Sequence, residues 1–254
     1  MGPSATADQG RKDRRANSRP APSHARDGGG SGPAPASGAT PATHRHTVPR
    51  PVVDELSDAA GKARGARLAA RLAEASHAYD RERYQEARRV LRTLADEVPK
   101  SAAVQELYGL VLYRSGQWAA AVGRLERYRT LTGEYDQHPV LADSYRALRR
   151  YDDAERLWDE LREASPDADL VAEGRIVAAG VAADQGDLAG AVALLERSLR
   201  RVDRPQERHL RQWYVLADLA ERAGDLPRAR RIFAKVAAAE PDAYDVKQRL
   251  RALR

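Results

Sequence analysis

Histidines are the residues of this sequence best suited to proton transfer or metal binding. The chain contains six of them, His24, His44, His46, His77, His138 and His209. His44 and His46 are the one close pair, and no cluster of acidic ligands accompanies them, so a metal site there is weakly supported. No His, Ser and Asp stand at a spacing typical of a catalytic triad. We therefore expect ordinary surface or packing roles for the histidines.

Other chemistry has little more support. The chain of 254 residues has no cysteine, which excludes disulfides, thiolate metal sites and cysteine nucleophiles. Asp152 and Asp153 point in different directions on a helix and suit its positively polarised N-terminus. The glycine-rich run at 28–32 lacks the flanking strand and helix of a phosphate-binding loop. The sequence predicts no enzyme, no metal and no cofactor; the remaining alternative is chemistry assembled from distant segments.

The sequence also contains a repeated pattern, which predicts the helices on which any functional residues must lie. Alanines recur at spacings of 34, 33, 37 and 38 residues, at Ala87, Ala121, Ala154, Ala191 and Ala229. Twelve positions before each alanine stands another small residue, and four positions after it, on the same helical face, a large apolar one. Pro99, Pro166 and Pro241 close three of the copies. The pattern predicts five helix pairs, each covering the apolar face of its neighbour, with helices at 84–97, 102–114 and 226–239 among them.

Together these positions resemble the tetratricopeptide repeat, a helix-turn-helix unit of about 34 residues. The fifth copy is the best match, with Trp213, Leu216, Ala217, Gly224, Ala229, Phe233 and Pro241 in register. The competing interpretation is an irregular helical bundle of the same composition. The resemblance implies an all-α fold, a right-handed superhelical solenoid of antiparallel helix pairs.

Composition divides the chain into a tail and one repeat domain. Residues 1–50 hold seven glycines and seven prolines without an aromatic residue, which predicts a disordered tail. The tail has eight Lys and Arg against three acidic residues, a net charge of +5 out of +6 for the whole chain. Residues 51–254 form the predicted repeat domain.

The predicted domain has capping helices at both ends. A leading helix begins near Pro51 and breaks or bends at Gly61 or Gly65. The repeats span about 68–101, 102–134, 135–168, 172–205 and 210–243. A last helix covers about 242–253, with Asp242 as its N-cap. Its basic residues, Lys247, Arg249, Arg251 and Arg254, are expected to face solvent.

The resemblance also implies a concave groove lined by the first helix of each pair. The predicted partner-binding residues in this groove are Tyr79, Tyr113, Arg114, Arg146, Arg211, Tyr214, Asp218 and Arg222. Tyrosine and arginine often anchor protein interfaces, although such residues can also be merely solvated. The groove has no lysine and the repeat domain no asparagine, unlike the repeats that clamp the acidic C-termini of heat-shock chaperones. An arginine-based clamp for another acidic peptide stays open.

The function predicted from these features is a non-catalytic scaffold that binds a peptide or helix of a partner protein. The alternative is an RNA-associated adaptor whose basic tail contacts nucleic acid. The N-terminus lacks the apolar core of a signal peptide and no stretch is long enough to span a bilayer, so we expect the cytoplasm and no membrane. Arginine greatly outnumbers the five lysines, a bias that favours a bacterial origin.

Overall fold

The computed structural model describes residues 48–199 and 202–253, and every regular element in these ranges is an α-helix. Its contacts divide the chain into two compact units. Among the described residues, unit 1 comprises 48–150 and unit 2 comprises 151–199 and 202–253. The predicted tail lies outside the described residues, except for its last three positions.

Unit 1 contains six helices, each packed against the next along the chain. They are α1 (Arg50–Ala60), α2 (Lys62–Asp80), α3 (Tyr84–Glu97), α4 (Ala102–Arg114), α5 (Trp118–Thr132) and α6 (His138–Ala147). The predicted helices at 84–97 and 102–114 are confirmed as α3 and α4. Short connectors make consecutive helices neighbours, which is the arrangement expected of helix pairs.

Unit 2 follows the same plan. Its described helices are α7 (Tyr151–Ala164), α8 (Ala168–Asp184), α9 (Leu188–Leu199), α10 (Glu207–Arg222), α11 (Leu226–Ala239) and α12 (Val246–Ala252). Each packs against the next, and α8 also packs against α10. The first helices of consecutive pairs therefore touch one another within this unit.

Small residues mark the points where paired helices meet. The five recurring alanines are at most 2% exposed. Position 109 has room for glycine alone, because a Cβ on Gly109 would stand 2.6 Å from Cδ2 of buried Leu125. The large apolar residues one turn after the alanines are fully buried in four copies, whereas Trp158 in the third copy is partly exposed. Within each unit, the repeat period therefore places buried small and large apolar residues between packed helices.

The start of the repeat domain differs from the sequence prediction in one respect. The break falls at Gly61, whose φ of 80° separates α1 from α2. The first helix of the first pair then begins at Lys62, ahead of the expected start near residue 68. Gly65 continues the helix and lets α1 approach closely, because a Cβ there would lie 2.5 Å from the Cα of Ser57.

The C-terminal prediction needs a larger correction. A helix at about 242–253 capped by Asp242 is wrong, because Tyr244 has a φ of 50°, which a right-handed helix cannot contain. The helix starts at Val246 instead, and Asp242 accepts a hydrogen bond from Lys247. Arg249 does not face solvent: it is 9% exposed. Lys247 and Arg251 are exposed as expected, while Arg254 lies outside the described residues.

The close approach of α1 and α2 is testable by adding a single methyl group. Gly65→Ala should lower the free energy of unfolding by about 1–3 kcal/mol, because the new Cβ collides with backbone atoms of Ser57. Gly123→Ala in α5 is the matched control, because its Cβ would meet nothing within 4 Å. The control should gain up to about 1 kcal/mol from helix propensity. Chemical denaturation of both variants would refute the packing argument if Gly65→Ala matched the control.

Candidate partner-binding faces

The eight predicted binding residues lie on first helices, four in each unit. The first-helix face of unit 1 is defined by Tyr79 on α2, Tyr113 and Arg114 on α4, and Arg146 on α6. The first-helix face of unit 2 is defined by four residues of α10, namely Arg211, Tyr214, Asp218 and Arg222. Whether these residues bind a partner stays a prediction.

Tyr113 and Arg146 meet at a shared carboxylate that connects α4 to α6. The Tyr113 hydroxyl donates to Oδ2 of Asp143 at 2.6 Å, and Arg146 Nη1 donates to Oδ1 at 2.9 Å. All three residues are at most 7% exposed. Burial, reinforced by the Asp143 carboxylate, raises the pKa of Tyr113 well above its usual range. Tyr113 therefore joins two consecutive first helices, while Arg146 fixes the same carboxylate from within α6.

Tyr79 and Arg114 belong to a second cluster, near the C-terminal ends of α2 and α4 and the turn between α2 and α3. Arg114 Nε donates to the hydroxyl of Tyr84 at 3.0 Å, and the Tyr79 and Tyr84 ring centroids are 5.8 Å apart. Glu82 in the α2–α3 turn forms a longer ion pair with Arg114, at 3.5 Å. Burial raises the pKa of Tyr79 to about 12. This cluster remains partly accessible, since the Arg114 side chain is 29% exposed.

In unit 2, Tyr214 and Asp218 connect α10 to the C-terminal segment. Tyr214 contacts Asp245, which immediately precedes α12, and Asp218 contacts Arg249 within α12. The Tyr214 hydroxyl donates to Asp245, and burial together with this bond raises the pKa of Tyr214. Arg249 donates to Asp218 at 2.8 Å and to Glu221 at 2.7 Å. The two carboxylates hold this arginine in the interior, against the expectation that it faces solvent.

Arg211 connects α10 to the preceding first helix. Its guanidinium binds both oxygens of Glu173 on α8, at 2.5 and 2.8 Å. Both side chains are at most 13% exposed, so the pair is well shielded from water. Arg222 is different, because it is exposed at the C-terminal end of α10.

Sequence reasoning missed the partners of the predicted residues. The acidic partners Asp143, Glu173 and Asp245 lie 30, 38 and 31 residues from the residues they bind, about one repeat away. A donor and a carboxylate separated by one repeat on successive first helices is the signal that would have found them. The hydroxyl of Tyr84, at the start of α3, orients Arg114, and the sequence pattern alone does not show this contact.

Outside these networks, the remaining candidates for chemistry among the described residues are metal-binding groups and histidines. No group of three or more His, Asp or Glu side chains among them is arranged to hold a metal ion. His209 Nδ1 accepts a hydrogen bond from the Gln206 backbone, and burial with nearby Arg208 lowers its pKa. His138 is buried, and the histidines of the predicted tail lie outside the described residues. None of the described helices is long and apolar enough to cross a membrane.

Comparison with known families agrees with this geometry. The profile of the tetratricopeptide repeat matches residues 72–137, 140–205 and 177–245, more than half of the chain. This chain belongs to the tetratricopeptide repeat family. Tetratricopeptide repeats are generally protein–protein interaction modules, and the family is generally non-catalytic. No curated protein matches the chain.

Several solved structures share the fold of this family. A thermophilic member from Thermus thermophilus is 20% identical, with a TM-score of 0.56 over 72% of this chain and 96% of that one. The apo quorum sensor NprR of B. thuringiensis is 16% identical, with a TM-score of 0.60 over 79% and 62%. PilF of Pseudomonas aeruginosa is 15% identical, with a TM-score of 0.55 over 79% and 90%. At these identities the likeness shows the fold alone.

The contribution of the Tyr113–Asp143 hydrogen bond to stability can be tested by removing the hydroxyl oxygen of Tyr113. Tyr113→Phe should lower the free energy of unfolding by about 1–3 kcal/mol, because a buried carboxylate loses a hydrogen bond. Tyr151→Phe is the control, because Tyr151 at the start of α7 is only partly buried. Equal denaturation midpoints for the two variants would show that the bond contributes nothing.

The buried phenols also predict a loss of stability at alkaline pH. Tyr79 has a folded pKa of about 12 against an ordinary 10.0, so its contribution is complete below pH 10 and is lost as pH rises towards 12. Urea unfolding of the native chain should therefore become easier between about pH 10 and about pH 12. Tyr79→Phe should reduce this pH dependence. An unchanged slope in the variant would contradict the assignment.

Proposed function

We propose that this chain is a non-catalytic bacterial scaffold that binds a peptide segment or helix of a partner protein on its first-helix faces. Membership in the tetratricopeptide repeat family supports the general role. The partner, and the residues that bind it, are the specific part of the proposal. Cytoplasmic location is part of it as well.

The observation that carries the proposal is the preorganisation of these faces. Tyr113, Arg211 and Tyr214 are each held by a carboxylate on another first helix or on the segment preceding α12. Side chains fixed in this way lose little conformational entropy when a partner docks, and the unit presents one defined surface. Exposed lysines or glutamates on an unconstrained helix would lack this advantage.

In this proposal the predicted binding residues have different roles according to their exposure. Tyr113, Arg146 and Tyr214 are buried, so in this proposal they position the face from beneath. Tyr79, Arg114, Asp218 and Arg222 are partly or fully accessible and are the ones proposed to contact the partner. Arg146 is a poor target for charge reversal, because a glutamate there would place a second carboxylate beside buried Asp143.

The alternative role, contact with RNA through the basic tail, depends on residues outside those described. No feature of the described residues favours it over protein binding. The experiment below tests the first role alone, because crosslinking from a first helix reports peptide binding and not nucleic-acid contact.

Peptide selection followed by site-specific crosslinking tests the proposal. The full chain would be presented with a library of short random peptides, and the enriched peptides would be synthesised. A photoreactive residue at Ser76, which is partly exposed on first helix α2, should crosslink to them. The expected result is crosslinking at least tenfold above a control carrying the same group at exposed Arg89 on second helix α3.

Two outcomes would refute the proposal. One is the absence of any enriched peptide. The other is equal or stronger crosslinking from Arg89, which would place the binding surface on the second helices of unit 1.

A further inference from the structure

Arg114 is held in a cradle formed by the preceding helix pair. It is the last residue of α4, and its guanidinium carbon lies 5.6 Å from the ring centroid of Tyr84. Nε donates to the Tyr84 hydroxyl at 3.0 Å, which fixes the plane of the guanidinium. The Tyr79 ring packs beside Tyr84. A flexible surface arginine has neither the stacking nor the hydrogen bond, so Arg114 is unusually well oriented for a partly exposed cation.

The fixed guanidinium has donors to spare. Arginine carries five N–H donors, and the described contacts of Arg114 occupy Nε with Tyr84 and Nη2 with Glu82. The Glu82 contact is 3.5 Å long, at the outer limit of a hydrogen bond, and the Glu82 side chain is 68% exposed. Such a contact is weak and easily displaced, because an exposed ion pair contributes little stability. Nη1 and Nη2 together can therefore receive a new acceptor.

The acceptor that fits two parallel donors is a carboxylate. An Arg–carboxylate pair forms two N–H···O bonds in one plane, and partial burial makes it stronger than an exposed pair. We propose that Arg114, oriented by Tyr84, receives a carboxylate of the partner, so that the ligand of the unit 1 first-helix face is an acidic peptide. This inference rests on the proposed function and specifies its ligand.

Unit 2 provides an internal comparison. Arg222 occupies the same place as Arg114, the last residue of a first helix and five positions after a small residue. The positions equivalent to Tyr84, Glu82 and Tyr79 are occupied in unit 2 by Leu188, Gly186 and Ala183. Arg222 therefore lacks the hydroxyl, the carboxylate and the ring that shape the Arg114 site. It shares the charge and the register of Arg114 without the cradle.

The test measures whether one carboxylate and Arg114 depend on each other. Short random peptides would be selected on the full chain, and each enriched peptide would be resynthesised with every acidic side chain changed to its amide, or with an amidated C-terminus. One of these changes should weaken binding to the native chain by tenfold or more, which also identifies the carboxylate as a side chain or a terminus. Arg114→Gln should weaken binding of the original peptide by a similar factor. The two changes combined should cost no more than either alone, as expected for groups that contact each other.

Two further variants separate orientation from charge. Tyr84→Phe keeps the ring but removes the hydroxyl that fixes Arg114, and should weaken binding severalfold. Arg89→Gln is the matched control, because it removes an exposed arginine of second helix α3 that lies outside both first-helix faces, and it should change affinity less than twofold. If Arg114→Gln melts at a lower temperature than the native chain, the peptide amides still decide the question, because they leave the protein unchanged.

The outcomes distinguish this inference from the proposed function. If no peptide is enriched, the proposed function fails. If peptides bind but tolerate every carboxylate-to-amide change, or bind equally to Arg114→Gln, the acidic ligand is refuted while the scaffold role stands. An equal loss with Arg89→Gln would show a general charge effect and would also refute the Arg114 site.

Discussion

The close approach of paired helices at small side chains is the constraint on which the other features depend. At Gly109 the space that a Cβ would need is taken by the Leu125 side chain, and the recurring alanines are at most 2% exposed. Tightly packed protein interiors tolerate little added side-chain volume. Because the helices of a pair within one unit pack tightly, the first helix has a defined position, and its side chains can meet those of the next first helix of that unit at bonding distance.

Hydrogen bonds between first helices add directional specificity, which apolar packing alone does not provide. Burial of leucine and alanine is non-directional, so it draws helix pairs together without strongly selecting one alignment. Hydrogen bonds from Tyr113 to Asp143 and from Arg211 to Glu173 have fixed geometry and join first helices roughly one repeat apart. A shift of one pair along its neighbour would leave these buried groups unsatisfied, at a cost of about 1–3 kcal/mol for each group. These bonds, here called the polar row (Tyr113–Asp143 in unit 1 and Arg211–Glu173 in unit 2), thus select the alignment within each unit.

The sequence predicted the helix pairs well because their signal is local. Small residues, glycine turns and prolines act within one hairpin, and the bounds of α3, α4 and α11 follow from them. The polar row depends on contacts between pairs, which local rules do not contain. Arg249 was expected in solvent from its place near a helix C-terminus, whereas two carboxylates of α10 hold it inside. The left-handed Tyr244, a residue type with no preference for that conformation, also leaves no local trace.

Tyrosine and arginine are common both in polar connections between helices and at binding surfaces, so residue type alone cannot separate the two roles. The number of donors can. A tyrosine has one hydroxyl proton, and once Tyr113 gives it to Asp143 the residue has no second donor for a ligand. An arginine has five, so Arg114 can bind Tyr84 and still offer a planar pair of N–H groups. A polydentate side chain can therefore stabilise a repeat interface and bind a partner at once, whereas a side chain with a single donor must do one or the other.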